Sequence, residues 1–135
     1  MVNNKNSSGL NDTGQRTEFE TGALREAVEG KGRFDLIPFQ GLMRTAQHYE
    51  NGSKKYADRN WEKGLSISRC LDSAARHLAK YADGWDDEDH LAAVVWNCYA
   101  IMFYDAEAPE MQDLPKWQDR RSKFIVEPPT DSLSE

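Results

Sequence analysis

The sequence predicts an all-α protein, a small helical bundle with flexible N- and C-terminal tails. Apolar residues recur at helical spacing in three separate segments, the main periodic signal of amphipathic helices. No stretch alternates polar and apolar residues for long enough to make a strand. Both ends are polar and offer almost nothing to bury.

Residues 1 to 21 are rich in Asn, Ser, Gly and Thr and read as a flexible tail. A weak helical segment, ALREAVE, leads into the glycine-containing stretch EGKGRFDLIP. The first strong helix opens at Pro38, whose fixed φ suits a first helical turn. Phe39, Leu42, Met43, Ala46 and Tyr49 then form its apolar stripe, and the pattern runs out near Tyr56. The second follows Ser66 or Ser68, either of which can cap it. Its stripe is Leu71, Ala74, Ala75, Leu78 and Ala82, and Gly84 ends it. The third opens on the acidic run Asp86, Asp87, Glu88 and Asp89, since acids favour a helix N-terminus. Its body, HLAAVVWNCYAIMFY, is apolar nearly all round and reads as the central buried helix. From about residue 113 the chain turns irregular, with Pro115, Pro128 and Pro129 among charges and serines. Trp117, Phe124 and Ile125 are the residues of this stretch suited to docking on a partner surface. The domain organisation expected is thus a tail at 1–21, a helical domain at 22–112 and a mostly irregular tail at 113–135.

A chain of 135 residues with 39% hydrophobic and 30% charged residues supports one modest core. Self-association into a homo-oligomer is expected on that ground. The net charge of −6 argues against stable nucleic-acid binding, which needs a clustered basic face. It leaves room for a nucleotide, because a divalent metal held by acidic groups neutralises a triphosphate. The two cysteines, Cys70 and Cys98, sit in apolar helical stretches and read as buried free thiols. No apolar run approaches the roughly 20 residues of a membrane span, and the N-terminus lacks a signal-peptide pattern. A cytoplasmic protein is expected.

Candidate chemistry falls on the three helices and the loop between the first two. His90 and Asn97 lie two helical turns apart on an apolar helix, and Tyr104 continues the line. Buried polar groups without partners cost roughly 1–3 kcal/mol each, so these three either pair inside the core or face a ligand. Arg69, Asp72 and Arg76 share one face of the second helix; Asp72 and Arg76 also have the spacing of an ordinary solvated pair. His77, beside them, reads equally as a core histidine. Glu50 and Lys54 allow the same choice, between an i,i+4 pair and a metal ligand beside a phosphate-seeking ammonium, with Lys55 alongside. In the loop, Trp61 either stacks on a base or closes the core, and the Asn60 amide suits a base edge. The acidic run Asp86 to Asp89 caps a helix, or relieves its mutual repulsion by binding a cation. Mg²⁺ typically takes one or two carboxylates plus phosphates and water, so Glu50, Asp72 and Asp86 or Asp89 are candidates to converge on one ion. GKGRFD is not a P-loop, and there is no Cys-x-x-Cys, no His-Glu-x-x-His and no nucleophile elbow.

Read together, the blocks EGKGRFDLIPF, HYENGSKKYADRNWEKG, SRCLDSAARHLAKYADG and DEDHLAAVVWN resemble the phage dATP/dGTP diphosphohydrolase N-terminal domain family, distantly MazG-like, over roughly residues 22 to 105. The resemblance implies a helical pyrophosphohydrolase that cuts dATP or dGTP to the monophosphate and pyrophosphate with Mg²⁺ or Mn²⁺. In phages that replace adenine by diaminopurine, such an activity removes dATP and supplies dGMP. One departure stands out. The MazG group carries Glu-x-x-Glu followed by Glu-x-x-Asp, whereas Ala93 stands here where the second acid belongs, and the first helix has no intact Glu-x-x-Glu. That pattern therefore transfers no metal ligands.

The expected reaction is attack of water on a phosphorus of the triphosphate, with pyrophosphate leaving. Metals and cationic side chains would stabilise charge spread over the oxygens. Glu50, Asp72, Asp86 and Asp89 are the metal candidates, with Glu50 and Asp72 also placed to activate water. Lys54, Lys55, Arg69 and Arg76 are the phosphate candidates, and Asn60, Trp61 and Asn97 those for base or sugar. His90 is expected to orient a ligand or carry a proton. The alternative function is a non-catalytic nucleotide-binding or phage adaptor protein with the same fold. A nucleic-acid accessory role would rest on Lys54, Lys55, Arg69 and the stretch DRRSK at 119–123.

Overall fold

The computed structural model describes residues 4–5 and 9–127, so the expectations for Pro128 and Pro129 lie outside the described residues. The chain is mostly helical, the class its periodicity predicts. Two compact units divide the described residues, one ending at Leu36 and the other running from Ile37 to Val126. No described helix is long and apolar enough to cross a membrane.

The first unit holds two short antiparallel strand pairs. β1 (Asn4–Lys5) pairs with β2 (Asn11–Asp12), and β3 (Arg16–Glu18) pairs with β4 (Leu24–Glu26). Three of these strands fall in the stretch read as a flexible tail. β4 occupies the segment ALREAVE, which is therefore not a helix. A segment this short cannot offset the cost of helix nucleation unless a packed face supports it, and most of it is exposed. The hairpin closes on a tight turn instead, in which Gly22 takes φ 85° and its N–H donates to the Phe19 carbonyl at 2.8 Å.

The second unit is a three-helix assembly. α1 (Phe39–Lys55) starts immediately after Pro38 and ends on Lys54 and Lys55, whose charge favours a helix C-terminus. α2 (Ile67–Ala82) follows Ser66. The serine side chain engaged there is Ser68, bonded through both its N–H and hydroxyl to the Asp113 carboxylate, which ties the segment beyond the third helix to the start of α2. Gly84 (φ 82°) ends α2: the Gly84 N–H reaches the Tyr81 carbonyl and the Trp85 N–H that of Lys80, the Schellman arrangement. α3 (His90–Glu107) is capped by Asp89 alone among the four acids, its carboxylate accepting from the Ala92 N–H at 3.1 Å. Arg44 of α1 grips the same carboxylate with two bonds of 2.7 Å and holds its pKa down to about 2.

α3 is the central helix, packing on both α1 and α2. Its buried line runs through His90, Ala93, Asn97, Ala100 and Tyr104. Ile67, Cys70, Ala100 and Tyr104 form the core cluster, with Trp96, Phe103, Met111 and Leu114 packed around it. The outer helices correct the expected stripes. On α2 the buried face is Ile67, Cys70 and Ala74, while Leu71 and Leu78 are about half exposed at 47% and 52%. On α1 Thr45 is buried, and Phe39, Leu42 and Met43 are exposed. Within this unit both helices thus carry a second apolar stripe that their helical neighbours leave exposed.

Candidate functional site

A cavity of about 990 Å³ opens within the helical unit. α1 contributes His48, Tyr49, Gly52 and Lys55, residues that recur at one-turn or two-turn spacing and so share a face. α2 contributes Arg69, Ser73 and His77, one polar stripe at intervals of four, next to the buried stripe of Ile67, Cys70 and Ala74. α3 contributes Ala93, Trp96 and Asn97. The loop from Tyr56 to a short 3-10 helix (Asn60–Lys63) closes one side, with Arg59 in the left-handed region at φ 59°.

Charge in this cavity is one-sided. Lys55, Arg59 and Arg69 line it, against a single carboxylate, Asp58. Arg59 is partnered by Glu62 at 2.7 Å. No acid among the described residues pairs with Arg69, so its guanidinium and the Lys55 ammonium remain available to an anion. Aromatic rings form part of the wall: Tyr49 packs on both Trp61 and Trp96, and Trp61 is backed by Phe103, which it meets edge-on with centroids 4.9 Å apart.

Each residue of the buried polar line of α3 has at least one hydrogen-bond partner. The Tyr104 hydroxyl donates to the Trp61 carbonyl at 2.6 Å and so anchors the loop that walls the cavity. Asn97 donates through Nδ2 to the Ala93 carbonyl at 2.8 Å and more weakly to Ser73. Its Oδ1 finds no donor among the described residues, leaving an acceptor on the cavity wall. His90, with a fully buried side chain, donates from Nε2 to Asp87 at 2.7 Å and meets His77 Nδ1 to Nδ1 at 2.9 Å. Burial lowers the His77 pKa, opposed in part by Glu88, 3.6 Å away.

The sequence candidates separate cleanly against this geometry. Lys55, Asn60, Trp61, Arg69 and Asn97 line the cavity. Lys54 does not, and pairs with Glu50 at 3.6 Å. Arg76 does not, and is bonded to Asp72 on an exposed face. The convergence of Glu50, Asp72, Asp86 and Asp89 on one ion is not what the fold provides: none of them lines the cavity. Glu50 is held by Gln47 and Lys54, Asp72 by Arg76, and Asp89 by Arg44 and its capping bond. Among the described residues the group of three donors close enough to share a metal is His77, Glu88 and His90 instead. His90 itself lies behind His77, off the cavity wall.

Sequence reasoning missed His48, Tyr49, Ser73 and Trp96 as cavity residues and Asp58 as its carboxylate. A signal existed for two of them. Ser73 falls midway between Arg69 and His77 on a polar stripe, and Trp96 adjoins Asn97.

Residues 21–114 match the family described as dATP/dGTP diphosphohydrolase, N-terminal. No curated protein and no solved structure matches the chain.

Proposed function

The chain belongs to the dATP/dGTP diphosphohydrolase N-terminal family, and from that premise we propose that it cleaves a purine deoxynucleoside triphosphate to the monophosphate and pyrophosphate. The observation that carries the reading is the presence in one cavity of aromatic rings and of two cations, Lys55 and Arg69, that no acid among the described residues neutralises. Lys55 and Arg69 bind the triphosphate, the guanidinium offering a planar fork of donors to phosphate oxygens. The base lies among Trp61, Trp96 and Tyr49, where ring faces stack on any purine. Asn97 Oδ1 accepts a hydrogen bond from an exocyclic amine or a sugar hydroxyl, and Asn60 contributes a second amide. Water adds to the α-phosphorus while the bond to the bridging oxygen of the β-phosphate breaks, and pyrophosphate departs. Cations on the departing oxygens offset the charge that accumulates there.

A Mg²⁺ or Mn²⁺ ion supplies further charge neutralisation when bound. Asp58, the carboxylate that lines the cavity, would be the protein group to hold it, and Mg²⁺ typically takes only one or two carboxylates from a protein. The substrate belongs to the nucleotide pool, which points to the cytoplasm, of an infected host if the chain is phage-encoded.

The test incubates the pure full chain with each dNTP, with and without Mg²⁺ or Mn²⁺, and measures pyrophosphate. Metal-dependent release from dATP or dGTP, and not from dCTP or dTTP, is expected. Purine nucleotide binding with no release would instead favour a non-catalytic nucleotide-binding or adaptor protein. No binding at all would remove both readings.

Self-association belongs to the same proposal. The uncovered stripes Phe39, Leu42 and Met43 on α1, and Leu71 and Leu78 on α2, suit contact with a second copy. Sedimentation equilibrium is expected to give a mass that is a multiple of 15.4 kDa. A monomer that stays monomeric as concentration rises would count against it.

A further inference from the structure

The end of α2 and the start of α3 bring together donors that the nucleotide reading does not use. His77 comes from the last two turns of α2, His90 is the first residue of α3, and Glu88 lies in the loop between them. Their ligand atoms all fall within 4.8 Å of one another. We propose that His77, His90 and Glu88 bind one divalent transition-metal ion of the Zn²⁺ or Co²⁺ kind at the edge of the cavity.

The distances fit an ion. Nitrogen or oxygen ligands about 2.1 Å from a common metal stand about 3.0 Å apart at right angles and about 3.4 Å apart at the tetrahedral angle. The two histidine Nδ1 atoms are 2.9 Å apart, and Glu88 Oε1 is 3.6 Å from that of His77. Hydrogen bonding prepares the ligands. Donation from His90 Nε2 to Asp87 leaves the Nδ1 lone pair directed at His77, the carboxylate–imidazole support that commonly orients a metal-bound histidine. Without metal, His77 Nδ1 must carry the proton of the contact between the rings. With metal, His77 switches tautomer, the proton moving to Nε2, so the ligand set keeps its charge. Two imidazoles and one carboxylate suit borderline divalent ions, whereas Mg²⁺ prefers all-oxygen surroundings.

Donor arrangement matters here more than acidity. The run Asp86 to Asp89 looked like a cation site from the sequence, yet its members part company in the fold. Asp87 supports His90, Asp89 caps α3 and pairs with Arg44, and only Glu88 joins the histidines. Burial of His90, whose side chain is fully enclosed, fixes one ligand, and the half-exposed Glu88 leaves a path for the ion to enter.

The inference is independent of the nucleotide reading, because metal binding is measured with no nucleotide present. The full chain is titrated with Co²⁺ against a large excess of Mg²⁺, following visible absorption, and with Zn²⁺ by calorimetry. One equivalent is expected to bind. His77→Gln should weaken binding at least about 100-fold and Glu88→Gln about 10- to 100-fold, in the range seen when a ligand or its support is lost. Circular dichroism checks that each variant folds. In case a variant does not, histidine nitrogen resonances of the unaltered protein give a second readout: Zn²⁺ should shift Nδ1 of His77 and His90 and leave His48 in place. No binding in the presence of Mg²⁺, equal affinity in His77→Gln, movement of His48 alone, or a Co²⁺–thiolate charge-transfer band from Cys70 or Cys98 would each overturn it.

Discussion

Replacing Arg69 with alanine is expected to lower kcat/KM for the purine triphosphate by about 100-fold, equivalent to about 2.7 kcal/mol of transition-state stabilisation. Arg69 lines the cavity and has no acidic partner among the described residues, so its charge is not already neutralised by the protein. Lys55→Met should cost less, because an ammonium on a flexible stem is more easily replaced by solvent or by a neighbouring cation. Arg76→Ala and Lys54→Met are the comparison: both residues lie off the cavity lining and already pair with Asp72 and Glu50. Surface pairs of that kind contribute about 0–1 kcal/mol to stability, and neither variant should change turnover by more than about twofold. Steady-state kinetics on the set of four decides. If Arg76→Ala proves more damaging than Arg69→Ala, the triphosphate does not bind in this cavity.

Tyr104→Ala carries the largest expected effect on folding. The side chain is fully buried in the main core cluster, and its hydroxyl donates to the Trp61 carbonyl. Truncating a buried aromatic to alanine typically costs about 3–5 kcal/mol, a large part of the roughly 5–15 kcal/mol that holds a domain together. Tyr104→Phe retains the ring and removes only the donor, so about 1–2 kcal/mol is expected from the carbonyl left without it. Urea unfolding measures both, and the midpoint should fall with little change in slope for the Phe variant. That variant also loosens the anchor of the Trp61 loop and should raise KM while sparing kcat. A Tyr104→Ala chain within about 1 kcal/mol of the parent would mean that the α2–α3 core is not the stabilising element.

Residues that act through their nearest neighbours in the chain were legible from the sequence. Pro38 opens α1, Gly84 ends α2 and the acidic run marks the start of α3, because each depends on φ, ψ or charges a few residues away, while the choice of Asp89 as the capping acid came from the structure. The same holds for the line from His90 through Asn97 to Tyr104, whose repeat of seven forces one face whatever packs against it. Ordered blocks of residues were enough to reveal the family. Strands β3 and β4 escaped notice because a hairpin of three-residue strands is too short for an alternating pattern to register.

Tertiary structure alone decided which way the outer helices face. α2 carries two apolar stripes with the same period, one through Ile67, Cys70 and Ala74 and one through Leu71, Ala75 and Leu78, and periodicity gives both equal weight. Burial is a property of a pair of surfaces, so only the position of α3 selects between them. That choice then sends Arg69 and His77 to the cavity and leaves Asp72 and Arg76 to each other in solvent. It also separates the acidic run, bringing Glu88 to two histidines from different helices. Helical spacing fixes angles about one axis, whereas a binding site requires the axes of several helices to be set against one another, and that is determined by packing.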